Sequence, residues 1–377
     1  MSLIDKINYD YYINIFIKII CHMKASIVAP LNSVEHLNDI LDSGANEVYF
    51  GLQGTLNSRN FSNLNIPLND LPQIIKKCHS YGAKANLVLN SFPSSIKALQ
   101  SHKAMIKKSS DLGMDSIIAS SFSTMKLITK IDPLMPIHVS VMTAISNPES
   151  INFLASKFNI ERAIQAPDKS IAETKEFRRI LNKEISLEVI SFGTLSYGFQ
   201  GNCNLSKFIS GIETNTEGIC SHPKFLSLKK EGTKSLIYFK DIVVGEFGHC
   251  PKGDLQCLTK NNGSKLLENE KGHGWKNTAL VNKRYVCRGL YKLGDKQVRF
   301  QNYEYLNLLP SCQKLIEAGV KAFKIEGRQR PPEYAIKVSK LFSTSINKGT
   351  YSKEKLSEVE KEFFPGMKPF QGGLDYA

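Results

Sequence analysis

The sequence predicts an α/β protein built as a (β/α)8, TIM-barrel-like domain with a long cysteine-containing insertion between strands seven and eight. Three observations predict it. From Lys24 onward, short runs rich in β-formers alternate with stretches of helical apolar spacing. Glycines that end helices, Gly44 and Gly113, fall just before two of those runs. Seven runs at βα spacing need one more to close an eight-stranded barrel, and a suitable one lies far downstream.

The elements follow in order. The strand runs are Ala25–Ala29, Glu47–Gly51, Ala85–Leu89, Ser116–Ala119, Ile137–Val141, Arg162–Gln165 and Leu187–Ile190. Between them, Leu71 to His79 and Ile96 to Leu112 carry clear 3.6-type spacing. The eighth strand is Ala322-Phe323-Lys324-Ile325-Glu326, introduced by a helix that ends at Ala318-Gly319. An excursion over about 192–310 therefore separates strands seven and eight. It is richer in Gly, Asn and Lys, weakly periodic, and holds five of the eight cysteines; 241–282 reads as loop or small hairpins. Barrel enzymes place their chemistry at the C-terminal ends of strands, and this insertion leaves that end of strand seven. The division expected is an extension over 1–23, the barrel over 24–345, and a tail over 346–377. Beyond Lys348 the tail carries alternating charge and then Pro365-Gly366, and is expected to fray.

Composition narrows the classes. At 377 residues, 42% hydrophobic and 22% charged, the chain suits one large barrel. The net charge of +14 is open to two readings, plain lysine richness or a surface for nucleic acid, anionic lipid or an acidic small molecule. The lysines are scattered and no arginine-rich run forms a nucleic-acid arm. Eight cysteines in a chain this long do not make a secreted disulfide scaffold, so a reducing, cytoplasmic setting is expected. Tyr11–Ile20 is apolar but short and interrupted by Lys18, so neither a signal peptide nor a membrane span is expected. It reads as an amphipathic extension, or as sequence upstream of a start at Met23.

The strongest motif is Leu187–Cys220. A strand ends at Phe192-Gly193, and a loop punctuated by Gly198 and Gly201 leads to Cys203; Asn204-Leu205-Ser206 follows, then Cys220 after Glu217-Gly218. Cys203, Cys220 and Cys287 all lie in irregular, glycine-rich sequence, where ligation is a more natural role than packing. Cys78 and Cys312 lie in helical patterns and read as core residues. His249-Cys250, Cys257 and His273 lack the Cys-x₂-Cys spacing of a zinc knuckle.

These residues resemble peptidase family U32, whose signature runs from a glutamate and hydrophobics through Gly-x-Leu-Cys to Gly-x-Cys-x-Leu-Ser. The resemblance extends from Lys24 to about Phe342. It includes Asn57-Ser58-Arg59-Asn60-Phe61 after strand two, His138 to Thr143 on strand five, and Lys324 to Arg330 on the last strand. Within the family the chain is most similar to the UbiU-type subunit of an oxygen-independent ubiquinone-biosynthesis hydroxylase. The likeness rests on the Arg328-Gln329-Arg330 ending, the Thr214 to Cys220 segment and Tyr285 to Gly289. It implies a 4Fe–4S cluster, prephenate as oxygen donor, and a heterodimer with a sister, UbiV-like U32 subunit. Other relatives hydroxylate RNA bases, and the peptidase name comes from collagenase-type members.

The chain departs from the family where its first cluster cysteine is expected, at Ser196. Serine oxygen is a harder ligand than thiolate for iron–sulfur. Three readings follow: Ser196 completes the site, Cys250 or Cys257 replaces the missing thiolate, or the cluster is lost. Ala166-Pro167-Asp168 also stands where the resembling proteins carry a Pro-Arg pair.

Other candidates are polar groups on or after strands. Arg59 and Arg328 suit a carboxylated ligand through bidentate hydrogen bonds. His138 suits proton transfer or packing, and Glu326 is expected to pair with Arg328 or Arg59. Four functions are therefore weighed: a ring hydroxylase, an RNA-base hydroxylase, a peptidase and a non-catalytic scaffold. No Gly-x-Ser-x-Gly elbow or His-Glu-x-x-His site supports hydrolysis.

Overall fold

The computed structural model describes residues 25–53, 57, 65–195, 304–328 and 330–371, together with the backbone of strands within 226–298. Eight parallel strands close into a barrel: β1 (Ser26–Pro30), β2 (Glu47–Phe50), β3 (Lys84–Leu89), β4 (Ser116–Ala119), β5 (Ile137–Val139), β6 (Ile160–Gln165), β7 (Ser186–Thr194) and β14 (Val320–Ile325). Closure is made by β14, which pairs with β1 on one side and β7 on the other. Each expected strand is present, shifted by a residue or two at most ends.

The crossover helices are α1 (Leu37–Asp42), α2 (Leu71–Ser80), α3 (Ile96–Asp111), α4 (Phe122–Ile131), α5 (Pro148–Ala155), α6 (Ile171–Ile180) and α7 (Cys312–Glu317). Their starts are written locally. Asn147 caps α5 with Pro148 as its first residue, and Ser170 with Glu173 forms a reciprocal capping box on α6. Gly44, Gly113 and Gly319 hold φ of 101°, 75° and 92° beyond their helices, the left-handed turn that lets each chain re-enter the sheet.

Two strands depart from expectation. β5 stops at Val139, and Val141–Thr143 forms a 3₁₀ turn that ends on Ala144 at φ 57°. β7 runs on to Thr194, because its far end pairs antiparallel with β13 (Glu304–Asn307), the strand that brings the insertion back. The end of β7 and the whole of β13 lie within the 192–310 range expected for the insertion. In between, β8 (Leu226–Glu231), β9 (Lys234–Phe239) and β10 (Ile242–Glu246) make an antiparallel sheet, and β11 (Tyr291–Leu293) and β12 (Lys296–Val298) a hairpin.

Over 349–371 the C-terminal segment is built of regular elements rather than frayed. After α8 (Pro332–Lys348) come α9 (Lys353–Phe363) and β15 (Lys368–Phe370), which pairs parallel with β13. The alternating charges occupy the outer face of α9, while Leu356, Val359 and Phe363 repeat at helical spacing and are buried. Phe364 stacks on Tyr305 with ring centroids 4.3 Å apart and meets Phe192 edge-on at 5.8 Å. Arg330 is enclosed beneath this segment, its guanidinium 4.1 Å from the Phe364 ring and donating to the Phe363 carbonyl at 3.0 Å. Each aromatic side chain so buried contributes about 1.5–3 kcal/mol, enough to dock a segment whose charge pattern alone reads as solvated. Among the described residues, no helix is long and apolar enough to cross a membrane.

Candidate active site

Inward positions recur every second residue along each strand. In the lower, N-terminal half of the barrel these positions hold Glu47, Asn86, Ser116, His138, Arg162 and Glu188, all buried. Branched aliphatic side chains ordinarily fill such layers. Here hydrogen bonds do so. Arg162 reaches Glu47 through Nη2 to Oε1 at 2.8 Å and Nη1 to Oε2 at 2.9 Å, and donates to Glu188 Oε2 at 3.0 Å. Asn86 donates to Glu47 Oε2 at 2.9 Å and accepts from the Ser116 hydroxyl at 2.7 Å. Lys324, one step higher on β14, donates to Glu188 Oε1 at 3.1 Å. Two carboxylates and two cations thus balance.

The electrostatics follow from that balance. Burial works to raise the Glu47 pKa, but the Arg162 guanidinium overcomes it and holds the carboxyl at about 2. Glu188 is likewise held low against its burial by Lys324 and Arg162. Burial draws the His138 pKa down and Arg162 adds to the effect, which favours the neutral imidazole. Its Nε2 lies 3.1 Å from Glu161 Oε2 at the barrel's lower rim, and Nδ1 lies 3.4 Å from Ser116 Oγ.

Above this layer the interior opens into a recess of ≈ 630 Å³, solvent at its mouth included. Val88, Ile118, Ile164 and Ile190 form apolar walls, Asn90 and Ser140 add polar groups, and Tyr49 and Lys324 lie toward the floor. Glu326 and Arg328 line it at the C-terminal end of β14, where barrel chemistry is found. The Glu326 carboxylate accepts from the Thr194 backbone N–H at 2.9 Å, and the Arg328 guanidinium donates to Asn57 Oδ1 at 3.0 Å. The expected Glu326–Arg328 ion pair is not formed, because each side chain is turned to a different neighbouring loop. Pairing of Glu326 with Arg59 falls outside the described residues.

Two glycines are closely enclosed by this packing, and the second is required by it. A Cβ at Gly51 would lie 2.4 Å from Asn65 Oδ1, 2.6 Å from Arg328 Nη1 and 2.7 Å from Asn57 Nδ2, so a side chain there would displace the amide and guanidinium ends that meet around Arg328. Gly193 has φ 135°, and a Cβ would lie 2.5 Å from the Glu326 carbonyl.

The structure therefore brings Glu326 and Arg328 to one recess. It sets His138 in the layer beneath, on the opposite side of the Lys324 floor. Cys203, Cys220, Cys287, Cys250, Cys257, Ser196 and Arg59 lie outside the described residues. Cys78 and Cys312 are core thiols as expected, with burial pushing both up to about 12. Sequence reasoning missed Tyr49, Lys324, Arg162, Glu47 and Glu188. A signal was present: Glu47, Asn86, Arg162, Glu188 and Lys324 are charged or amide residues set inside otherwise apolar strand runs.

The family model described as Peptidase family U32 matches residues 32–370. A collagenase of Porphyromonas gingivalis is 25% identical over 354 residues, covering 89% of this chain and 69% of that protein. The tRNA hydroxylation protein P of Escherichia coli is 23% identical over 338 residues, covering 86% and 68% respectively. Among solved structures, the U32 peptidase Mk0906 aligns at a TM-score of 0.39 with 13% identity, over 50% of this chain and 79% of that one.

Proposed function

Because this chain belongs to peptidase family U32, we propose that it is an iron–sulfur-dependent hydroxylase that acts on a planar ring without oxygen gas. The observation that carries the reading is the recess at the barrel mouth, apolar-walled and polar-floored, into which Glu326 and Arg328 project. Glu326, which lines it, accepts from the backbone N–H of Thr194 at the end of β7, directly before the cysteine-bearing segment. The donor chemistry fits a cluster: Cys203, Cys220 and Cys287 would hold it, with Ser196, Cys250 or Cys257 as fourth ligand. When bound, such a cluster supplies electron transfer at the ring. Arg328 would grip the carboxylate of an oxygen donor such as prephenate, and the aliphatic walls exclude water from the reacting face.

Two ring substrates fall within this reading. An RNA base is favoured by similarity to the tRNA hydroxylation protein and by the net charge of +14. A free aromatic or quinone precursor, handled with a sister U32 subunit, is favoured by the Arg328-Gln329-Arg330 and Tyr285 to Gly289 motifs. Similarity to the collagenase keeps peptide cleavage as the competing class.

The test begins with protein purified without oxygen. About four irons and four sulfides per chain are expected, lost together in Cys203→Ala and Cys220→Ala. Mass spectrometry of RNA nucleosides and quinone precursors from cells lacking the protein then identifies the ring that loses its hydroxyl. An iron-free protein that resists reconstitution and cleaves peptides would overturn the proposal.

A further inference from the structure

The recess has a charged floor that the walls do not explain. Lys324 lines it from β14, and its ammonium is held from two directions. On one side Glu188 Oε1 of β7 accepts at 3.1 Å; on another the Tyr49 ring of β2 lies 4.2 Å from Nζ. An ammonium has three donors. Glu188 takes one and the Tyr49 π-face attracts the charge without consuming a proton, so donor capacity remains on a recess-lining group. Glu188 also divides its carboxylate, giving Oε2 to Arg162. Neither cation is fully neutralised by it.

We propose that Lys324 is the ligand-contacting residue that makes this recess select small anions with an apolar body, and that Glu188 and Arg162 are positioning residues that hold its ammonium in place. The inference takes its location from the recess of the proposed function and names the ligand class that the recess admits.

Three physical arguments carry it. First, replacing buried ion pairs by apolar residues of similar size is often neutral or stabilising. A barrel interior that keeps Glu47, Arg162, Glu188 and Lys324 does not need them in place of aliphatics for stability, and charged groups held at a cleft floor mark function. Second, the side chain is ordered before any ligand arrives. Glu188 and Tyr49 fix a long, flexible lysine, so binding does not have to order it. Third, position separates Lys324 from the other charged groups that line the recess: Glu326 and Arg328 stand at the C-terminal end of β14, bonded to the Thr194 N–H and to Asn57, and Lys324 is the cation at the floor. A carboxylate entering between Ile118, Ile164 and Ile190 therefore meets a cation at the bottom while its body stays against hydrocarbon.

The test compares two probes of one shape. Benzoate and benzyl alcohol share a ring and differ in charge, and each is titrated into the full chain by ligand-observed NMR. The wild type is expected to bind benzoate at least about tenfold tighter, as a charge-assisted hydrogen bond requires. Lys324→Met alone would strand the Glu188 charge, so the decisive variant is the double Lys324→Met/Glu188→Gln, which keeps the interior neutral. It should lose the preference for benzoate while binding benzyl alcohol as before, and Lys324→Arg should keep part of the preference. Equal binding of the two probes by the wild type, binding of neither, or a double variant that still prefers benzoate would each overturn the inference. A protein that selects benzoate through Lys324 yet hydroxylates no ring would instead sink the proposed function alone.

Discussion

Along the barrel axis, the lower layer is filled by Arg162 bridging Glu47 and Glu188, with Asn86, Ser116 and His138 bonded around them. One step toward the strand ends, Ile118, Ile164 and Ile190 face open space. The usual arrangement puts hydrocarbon at the bottom and polar groups at the mouth. Here the polar groups are deepest and the hydrocarbon walls stand above them. The contrast shows that the two halves of the interior have separate roles. The lower half fixes charges in a closed network, and the upper half is an open recess with aliphatic walls. Lys324 joins them, bonded down to Glu188 and lining the space above.

That division can be broken from below. Arg162→Met would leave two buried carboxylates against one remaining cation, and should cost about 3–5 kcal/mol in urea unfolding. A loss under about 1 kcal/mol would mean that the network does not hold the lower half together.

Acid should attack the same layer. The Glu47 pKa is about 2 in the fold against 4.5 ordinarily, so the unfolded chain binds more protons below that ordinary value. The corresponding stability is fully present above about pH 5 and is lost as pH falls toward 2, roughly 3 kcal/mol in all. Glu47→Gln should remove this part of the acid slope. His138, lowered by burial, adds an earlier decline that begins near its ordinary value of 6.5, again with stability falling as pH falls. Thermal melts at stepped pH read both, and a profile flat from pH 7 to 3 would contradict them.

The mouth should respond less. Gly51→Ala forces a methyl among Asn65, Arg328 and Asn57, and overpacking of this kind costs about 1–3 kcal/mol. The measured change should be accompanied by loosened protection of the β2 loop in hydrogen exchange. The recess wall should respond least. Ile164→Val borders space that is already open, and is expected to cost only about 0.5–1.5 kcal/mol, well below Arg162→Met. Equal losses at Ile164 and Arg162 would erase the distinction between the halves.

Legibility in the sequence differs between regions. The strand runs are legible because each is a local pattern bounded by its own turn residues, such as Gly44 before β2 and Gly113 before β4. Even the distant eighth strand can be found, since eight are needed for closure. The C-terminal segment misleads because its charges dominate a linear scan. Its apolar stripe of Leu356, Val359 and Phe363 has meaning only once β13 and Phe192 supply a surface to cover.

At the site, Glu326 and Arg328 can be named from their position at the end of the last strand, but not their partners. Ion pairs between residues close in sequence are the natural guess. The fold instead turns Glu326 to the Thr194 backbone and Arg328 to Asn57, which is 271 positions away. By itself the sequence determined the barrel and its eight strands, because those depend on short-range periodicity and chain connectivity. Only tertiary structure decided that Glu47 meets Arg162 across 115 positions and that Lys324 meets Glu188 across 136. A period-two pattern says which face a side chain takes. Barrel closure and stagger decide the height at which it meets another, and that height separates a charge closed inside the network from one that lines the recess.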